Sequence, residues 1–219
     1  TNKTFIGPSK IDGYIEWIDG VTNITLNPID PDPTGEGCNI GVNETWYKND
    51  VYTGEGEMYC YEPEEYCNAE YLQEYDPQSH IGKGNGDEND WYLWNGTPIE
   101  KDEESCHVMK YYSIDELGNV EDVNYNCFFV DKSAPEVNKT VSEPKVPGPE
   151  NQTWVTPETN ITFSCDDPQP HPSGDELLYF KVRYDLENGD LTDEYCNKYG
   201  GTVEGEWCVV DVSQGDFIF

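Results

Sequence analysis

The chain has 219 residues and a formal net charge of −33, with 45 acidic residues against 12 basic ones. That balance argues against nucleic-acid binding and against attraction to anionic lipid, since both need a basic surface and Arg183 is the sole arginine. Mean hydropathy is strongly negative, yet 16 Tyr, 7 Phe and 6 Trp supply apolar area that disordered chains lack, so the composition describes a folded chain with thin cores and a polar surface.

In chain order, Asn23-Ile24-Thr25-Leu26 reads as a strand, closed by the turn sequence Pro31-Asp32-Pro33-Thr34-Gly35. Residues 63–74 form the only segment that reads as a short helix, with Tyr66, Ala69 and Leu72 on one face. Residues 106–114 and 125–130 are β-rich and flank the turn signal Leu117-Gly118-Asn119. Phe180, Val182, Tyr184 and Leu186 alternate with Lys181, Arg183 and Asp185, which predicts a half-buried strand. Residues 208–212 follow Tyr199-Gly200-Gly201 as a further strand. Short strands with turns at regular spacing predict an all-β sandwich.

The chain also repeats itself. Thr1-Asn2-Lys3-Thr4-Phe5 aligns with Val137-Asn138-Lys139-Thr140-Val141, Pro8 with Pro144 and Trp17 with Trp154. Asn23-Ile24-Thr25-Leu26 aligns with Asn160-Ile161-Thr162-Phe163, and Asp30-Pro31-Asp32-Pro33 with Asp167-Pro168-Gln169-Pro170. Order and spacing persist, so we expect tandem units at 1–136 and 137–219, the first with an insertion at about 60–100. The second unit is expected to be incomplete, lacking a counterpart of 107–131, so that either the natural chain continues or another chain supplies the missing strands. Both alternatives imply an array, with neighbouring repeats or further copies of the chain as partners.

Asn-x-Thr occurs at Asn2, Asn23, Asn43, Asn95, Asn138, Asn151 and Asn160, never with Pro in the middle. The composition predicts roughly two such triplets by chance, so the excess marks these residues as N-glycosylation sites. Eight cysteines (Cys38, Cys60, Cys67, Cys106, Cys127, Cys165, Cys196 and Cys208) lack the close pairs and His partners of a zinc site, which points to disulfides and an oxidising compartment. Spacing suggests local loops closed by Cys60 with Cys67 and by Cys196 with Cys208. Cys106 and Cys127 lie on the two arms of one hairpin and could face each other, while the partners of Cys38 and Cys165 stay open. No run of about 20 apolar residues is present to span a membrane.

Two further groups are candidate sites. Asp30 and Asp32, with Asp166 and Asp167 at the equivalent strand end, offer hard oxygen ligands for calcium in Pro-rich loops, and Asp115, Glu116, Asn119, Glu121 and Asp131 crowd the end of the first unit. No EF-hand spacing accompanies them, and solvated turns are the competing reading. Trp91, Tyr92 and Trp94 form a dense aromatic segment that could grip a glycan or a surface protein, or could plug the end of a sandwich. Catalysis has little support, since nucleophile elbows, metalloprotease motifs and phosphate-cradling loops are all missing from the sequence.

The stretch from Cys106 through Glu121, His-Val-Met-Lys-Tyr-Tyr-Ser-Ile-Asp-Glu-Leu-Gly-Asn-Val-Glu after the cysteine, followed by Val130-Asp131-Lys132-Ser133-Ala134-Pro135, resembles the last hairpin of bacterial and archaeal immunoglobulin-like repeats. The opening Trp17, Asn23-Ile24-Thr25 and Asp30-Pro31-Asp32-Pro33 elements resemble the first strands of the same units. The resemblance covers about a third of the chain and implies surface-exposed β-sandwich repeats of a stalk, adhesin, filament or cell envelope. The cysteines and the insertion depart from the pattern. Together these readings predict a structural, glycosylated segment of a microbial extracellular assembly, archaeal by its sequon density. The alternatives are a glycan- or protein-binding adhesion module and an accessory domain of a secreted hydrolase.

Overall fold

The computed structural model describes residues 1–219 apart from 33–36, 38, 73–90, 102, 175–176, 186–188, 191, 214 and 219. Cys38, the middle of the insertion and the expected strand end at Leu186 therefore lie outside the described residues. The chain is mostly β and divides into two compact units, Thr1–Lys132 and Ser133–Phe219. The division falls ahead of the expected one because the first strand of the second unit already begins at Glu136, which faces Asp166.

The first unit contains β1 (Asn2–Ile6), β2 (Ser9–Asp12), β3 (Ile15–Asp19), β4 (Asn23–Asn27) and β5 (Val42–Tyr52). Single helical turns α1 (Met58–Tyr61) and α2 (Pro63–Tyr66) follow, then β6 (Tyr92–Leu93), β7 (Ile99–Glu100), β8 (Cys106–Asp115) and β9 (Asn124–Asp131). They form a three-stranded sheet in the order β1-β4-β7 and a six-stranded sheet in the order β2-β3-β9-β8-β5-β6, in which β3 and β9 run parallel. Ile24 and Leu26 of β4 alternate with Asn23, Thr25 and Asn27, so one face of the small sheet is apolar. That face packs with Ile18, Met109, Phe128 and Val130 of the large sheet. Burial of each such side chain contributes about 1.5–3 kcal/mol.

The large sheet is covered on its other face as well. Trp17, Val108 and Phe129 pack beneath Cys60 and Leu72 of the insertion, and Trp46, Tyr112 and Ile114 pack with Trp91. Hence β8 is buried at every position from Cys106 to Ile114. A strand covered on both faces loses the apolar–polar alternation of a half-exposed one. The expected helix over 63–74 is shorter than its pattern. It ends at Tyr66, and the next residue, Cys67, is bonded to Cys127 on β9, so covalent anchoring to the sheet takes over the path of the chain.

The second unit contains β10 (Glu136–Val141), β11 (Lys145–Pro147), β12 (Thr153–Val155), β13 (Ile161–Asp166), β14 (Leu177–Phe180), β15 (Arg183–Asp185) and β16 (Gly189–Asp190). It closes with α3 (Thr192–Lys198), β17 (Thr202–Glu204), β18 (Trp207–Asp211) and β19 (Phe217–Ile218). Its sheets are β10-β13-β19, β14-β18-β17 and the two hairpins β11-β12 and β15-β16. Leu178, Phe180, Cys208 and Val210 pack with Phe163 and Phe217 in the core. The expected strand at 180–186 is broken, because pairing passes from β18 to β16 after Phe180. Helix α3 was not anticipated. Its signals were a Thr followed by Asp193 and Glu194, and Gly200 after the last turn, where a positive φ lets Gly201 N–H reach the carbonyl of Cys196 at 2.9 Å.

The internal repeat survives in three dimensions. Lys3 faces Leu26 and Thr4 faces Thr25 in the first unit, as Lys139 faces Phe163 and Thr140 faces Thr162 in the second. Lys10 opposite Trp17 corresponds in the same way to Val146 opposite Trp154. Even a side-chain bond recurs, with Thr22 Oγ1 donating to the Pro8 carbonyl and Thr159 Oγ1 to the Pro144 carbonyl, each at 2.5 Å. Both threonines are buried, so each bond satisfies groups that water does not reach.

Candidate functional site

The seven sequon asparagines are all at least partly exposed. Asn2 and Asn23 stand on the outward face of the β1–β4 hairpin, whose inward positions are Phe5, Ile24 and Leu26. Asn138 and Asn160 hold the matching places on and before the β10–β13 pair. Asn43 is the extra residue of a bulge in β5, between Val42 opposite Asp115 and Glu44 opposite Ile114, an irregularity that re-aims a side chain. Asn95 Oδ1 accepts the Thr97 N–H at 3.0 Å and the Thr97 hydroxyl at 2.6 Å, which leaves Nδ2 as the atom for a sugar. Asn151 sits in an exposed turn with φ +62, a left-handed conformation that Asn tolerates.

The cysteines of the first unit pair differently from the local scheme, whereas Cys196 and Cys208 pair as expected. Cys60 is bonded to Cys106 and Cys67 to Cys127, while Cys196 is bonded to Cys208. The expected Cys60–Cys67 and Cys106–Cys127 bonds do not form, because Cys106 and Cys127 each meet a cysteine of the insertion that folds over their face of the sheet. A correspondence replaces the one expected. Cys60–Cys106 and Cys196–Cys208 each tie a helical turn to a strand start, beside the pairs Tyr52 opposite Cys106 and Phe180 opposite Cys208. Cys165 lies half-buried against the core of the second unit. Three disulfides fit an oxidising compartment, and no helix among the described residues is long and apolar enough to cross a membrane.

The acidic candidates serve their own loops. Asp30 Oδ2 accepts the N–H groups of Ile40 and Gly41 at 2.7 and 2.9 Å, and Asp32 accepts that of Gly37 at 2.6 Å. Asp167, the counterpart of Asp30, accepts the Gly174 N–H at 2.6 Å, and Asp166 ends β13 exposed. Asp115 accepts the N–H groups of Leu117 and Asn119 at 2.8 Å and the Asn119 side-chain amide at 2.6 Å. The Asn119 carboxamide, opposed by desolvation and backed by the turn's N–H groups, holds the Asp115 carboxyl below its ordinary value. Glu121 is bound to Thr1, Ser113 and Asn124. Among the described residues no three His, Cys, Asp or Glu side chains converge as a metal site.

Trp91 is fully buried, edge-to-face with Tyr112, so it cannot present its ring to a ligand. Trp94 is half-buried against the main core, and Tyr92 lies exposed beside Tyr47. His107, the first residue of the hairpin motif, is buried and stacked on Phe128, with Nε2 at 2.7 Å from the Glu103 carbonyl and Nδ1 at 3.0 Å from the Asn49 amide. It is a core residue with a hydrogen-bond partner at each ring nitrogen. Sequence reasoning missed the ion cluster on β5 and β8, where buried Lys110 lies 3.0 Å from Asp50 and Lys48 lies 3.3 Å from the same carboxylate. It also missed a cleft of about 500 Å³ in the second unit, bordered by Lys139, Lys181, Arg183 and Lys198, a concentration of cations in a strongly acidic chain. No family model, curated protein or solved structure matches the chain.

Proposed function

We propose that this chain is a structural segment of an extracellular microbial surface assembly, built from tandem immunoglobulin-like β-sandwich units that are N-glycosylated and disulfide-stapled. The observation that carries the reading is the placement of the sequons. None of the seven asparagines is buried, and the two units repeat a pair of them on the outward face of equivalent hairpins. Glycans there would coat a face that the core does not need. The net charge of −33 would keep neighbouring surfaces apart, and the disulfides would hold units whose cores are thin. The aspartates of the Pro-rich loops act in this reading as loop closures, and Trp91 as packing.

Glycopeptide mass spectrometry of the native protein tests the proposal. Occupancy at Asn2, Asn23, Asn138 and Asn160 is the expected result. Unmodified asparagine at all seven positions would sink the glycosylated-surface reading.

A further inference from the structure

Three polar side chains of the first unit meet between its two sheets. Lys3 stands on β1, Glu16 on β3 and Asn126 on β9. Lys3 Nζ donates to Asn126 Oδ1 at 2.5 Å and to Glu16 Oε2 at 3.0 Å. Asn126 Nδ2 donates to the same Glu16 oxygen at 2.8 Å. One carboxylate oxygen therefore holds an amine together with the amide nitrogen of the very carbonyl that the amine touches. The Nζ–Cγ separation is at most about 3.7 Å, the length of that contact and a C=O bond laid end to end. The setting is apolar. Lys3 shares the inward face of β1 with Phe5, and its side chain is only 9% exposed. Its Nζ lies 3.4 Å from the Phe5 ring centroid and 5.7 Å from that of Phe128, both part of the main core. Burial pushes the Lys3 ammonium below its ordinary pKa although Glu16 opposes the shift, which favours the neutral amine.

We propose that Lys3 and Asn126 become joined by an intramolecular isopeptide bond, formed once on folding, with Glu16 as the catalytic proton relay. Glu16 takes a proton from the Lys3 ammonium, and the free lone pair attacks Asn126 Cγ, so that the Nζ–Cγ bond forms. The Cγ–Nδ2 bond then breaks. Two protons in all pass from Nζ to Nδ2 through the Glu16 carboxylate, which is restored, and the amide nitrogen departs as ammonium. No oxidant and no co-reactant is needed, because an amine and an amide exchange into an amide and ammonium. Proximity supplies the drive, since the fold holds nucleophile, carbonyl and relay at contact distance. The new bond would tie the first strand of the unit to the last, and the small sheet to the large one. Neither disulfide of the unit reaches β1. The second unit repeats the lysine as Lys139 but sets Thr153, opposite Pro147, where Glu16 stands opposite Ile11. It lacks the relay at that place, so the reaction belongs to the first unit. A covalent tie suits a segment of a surface assembly, but the chemistry does not depend on that reading.

Tandem mass spectrometry of a reduced, deglycosylated tryptic digest of the whole chain tests the proposal. The expected product is a branched species joining residues 1–10 to residues 111–132, lighter by one ammonia than the two peptides together, since an acylated Lys3 resists trypsin. Lys3→Arg, Asn126→Ala and Glu16→Gln are each expected to abolish it. A non-reducing digest that still shows Cys60–Cys106 and Cys67–Cys127 establishes that a variant has folded. Cleavage after Lys3 and a separate, full-mass 111–132 peptide from the folded wild-type chain overturn the proposal, leaving the three side chains as a buried hydrogen-bond network. A branched species that persists in Glu16→Gln overturns the relay. Glycan occupancy is read on other residues, so this proposal and the glycosylated-surface reading can fail separately.

Discussion

Asp115 shows how one residue of a sequence motif gets its role. Its carboxylate closes the Asp-x-x-Gly-Asn turn by accepting three N–H bonds, and Gly118 supplies the positive φ that the turn requires. A carboxyl whose folded-state pKa is depressed stabilises the fold above its unfolded pKa, and that contribution disappears as pH falls through the folded value. Asp115→Asn should therefore lower the melting temperature at pH 7 and have less effect at a pH below the depressed folded-state value, where the wild-type carboxylate is protonated too. Thermal unfolding at the two pH values checks this. The buried ion cluster makes a second prediction at this scale. Asp50→Ala strands the Lys110 ammonium in a buried site and should cost about 2 kcal/mol or more. Lys110→Met should cost less, because Asp50 is more exposed and keeps Lys48. Denaturant titration of the two variants decides the order.

At the scale of elements, some strands were legible and others, the long β5 among them, were not. Residues 23–26 fall within β4, and 208–211 of the expected 208–212 fall within β18. Residues 106–114 lie within β8, although that strand is covered on both sides. Helix α3 was overlooked because its buried residues, Thr192 and Cys196, give it little apolar periodicity. The bond that fixes α3, Cys196–Cys208, spans 12 residues, whereas Cys67–Cys127 spans 60. In the chain-entropy account closure is worth about 3 kcal/mol for the shorter loop and about 4 for the longer. Replacing Cys67 and Cys127 together by alanine should thus destabilise the first unit more than the corresponding change at Cys196 and Cys208 destabilises the second. Hydrogen exchange of each unit measures both.

Over the whole molecule, charge and repetition dominate. With a net charge of −33, self-repulsion opposes the compact state and falls as salt screens it. The midpoint of unfolding should rise between about 0.01 and 0.15 M salt, over which the screening length shortens from about 30 to 8 Å; a midpoint that falls would contradict a role for self-repulsion. The units share their first hairpins, register for register, and then diverge. The first closes its six-stranded sheet with β9 and roofs it with the insertion, while the second leaves β12 with one neighbour among the described residues.

Sequence alone determined the class of fold, the repeat and the sequon positions, because each is written in local order: alternation along a strand, turn residues between strands, and triplets read one by one. Tertiary structure decided which cysteines meet, since a bond forms only where two Cα atoms approach to about 6 Å, as Cys60 and Cys106 do at 5.8 Å across 46 residues of chain. It also decided that Trp91 is core and that Trp154, aligned with a buried tryptophan, is not. Burial depends on what another part of the chain lays over a residue, and no spacing within a strand records that.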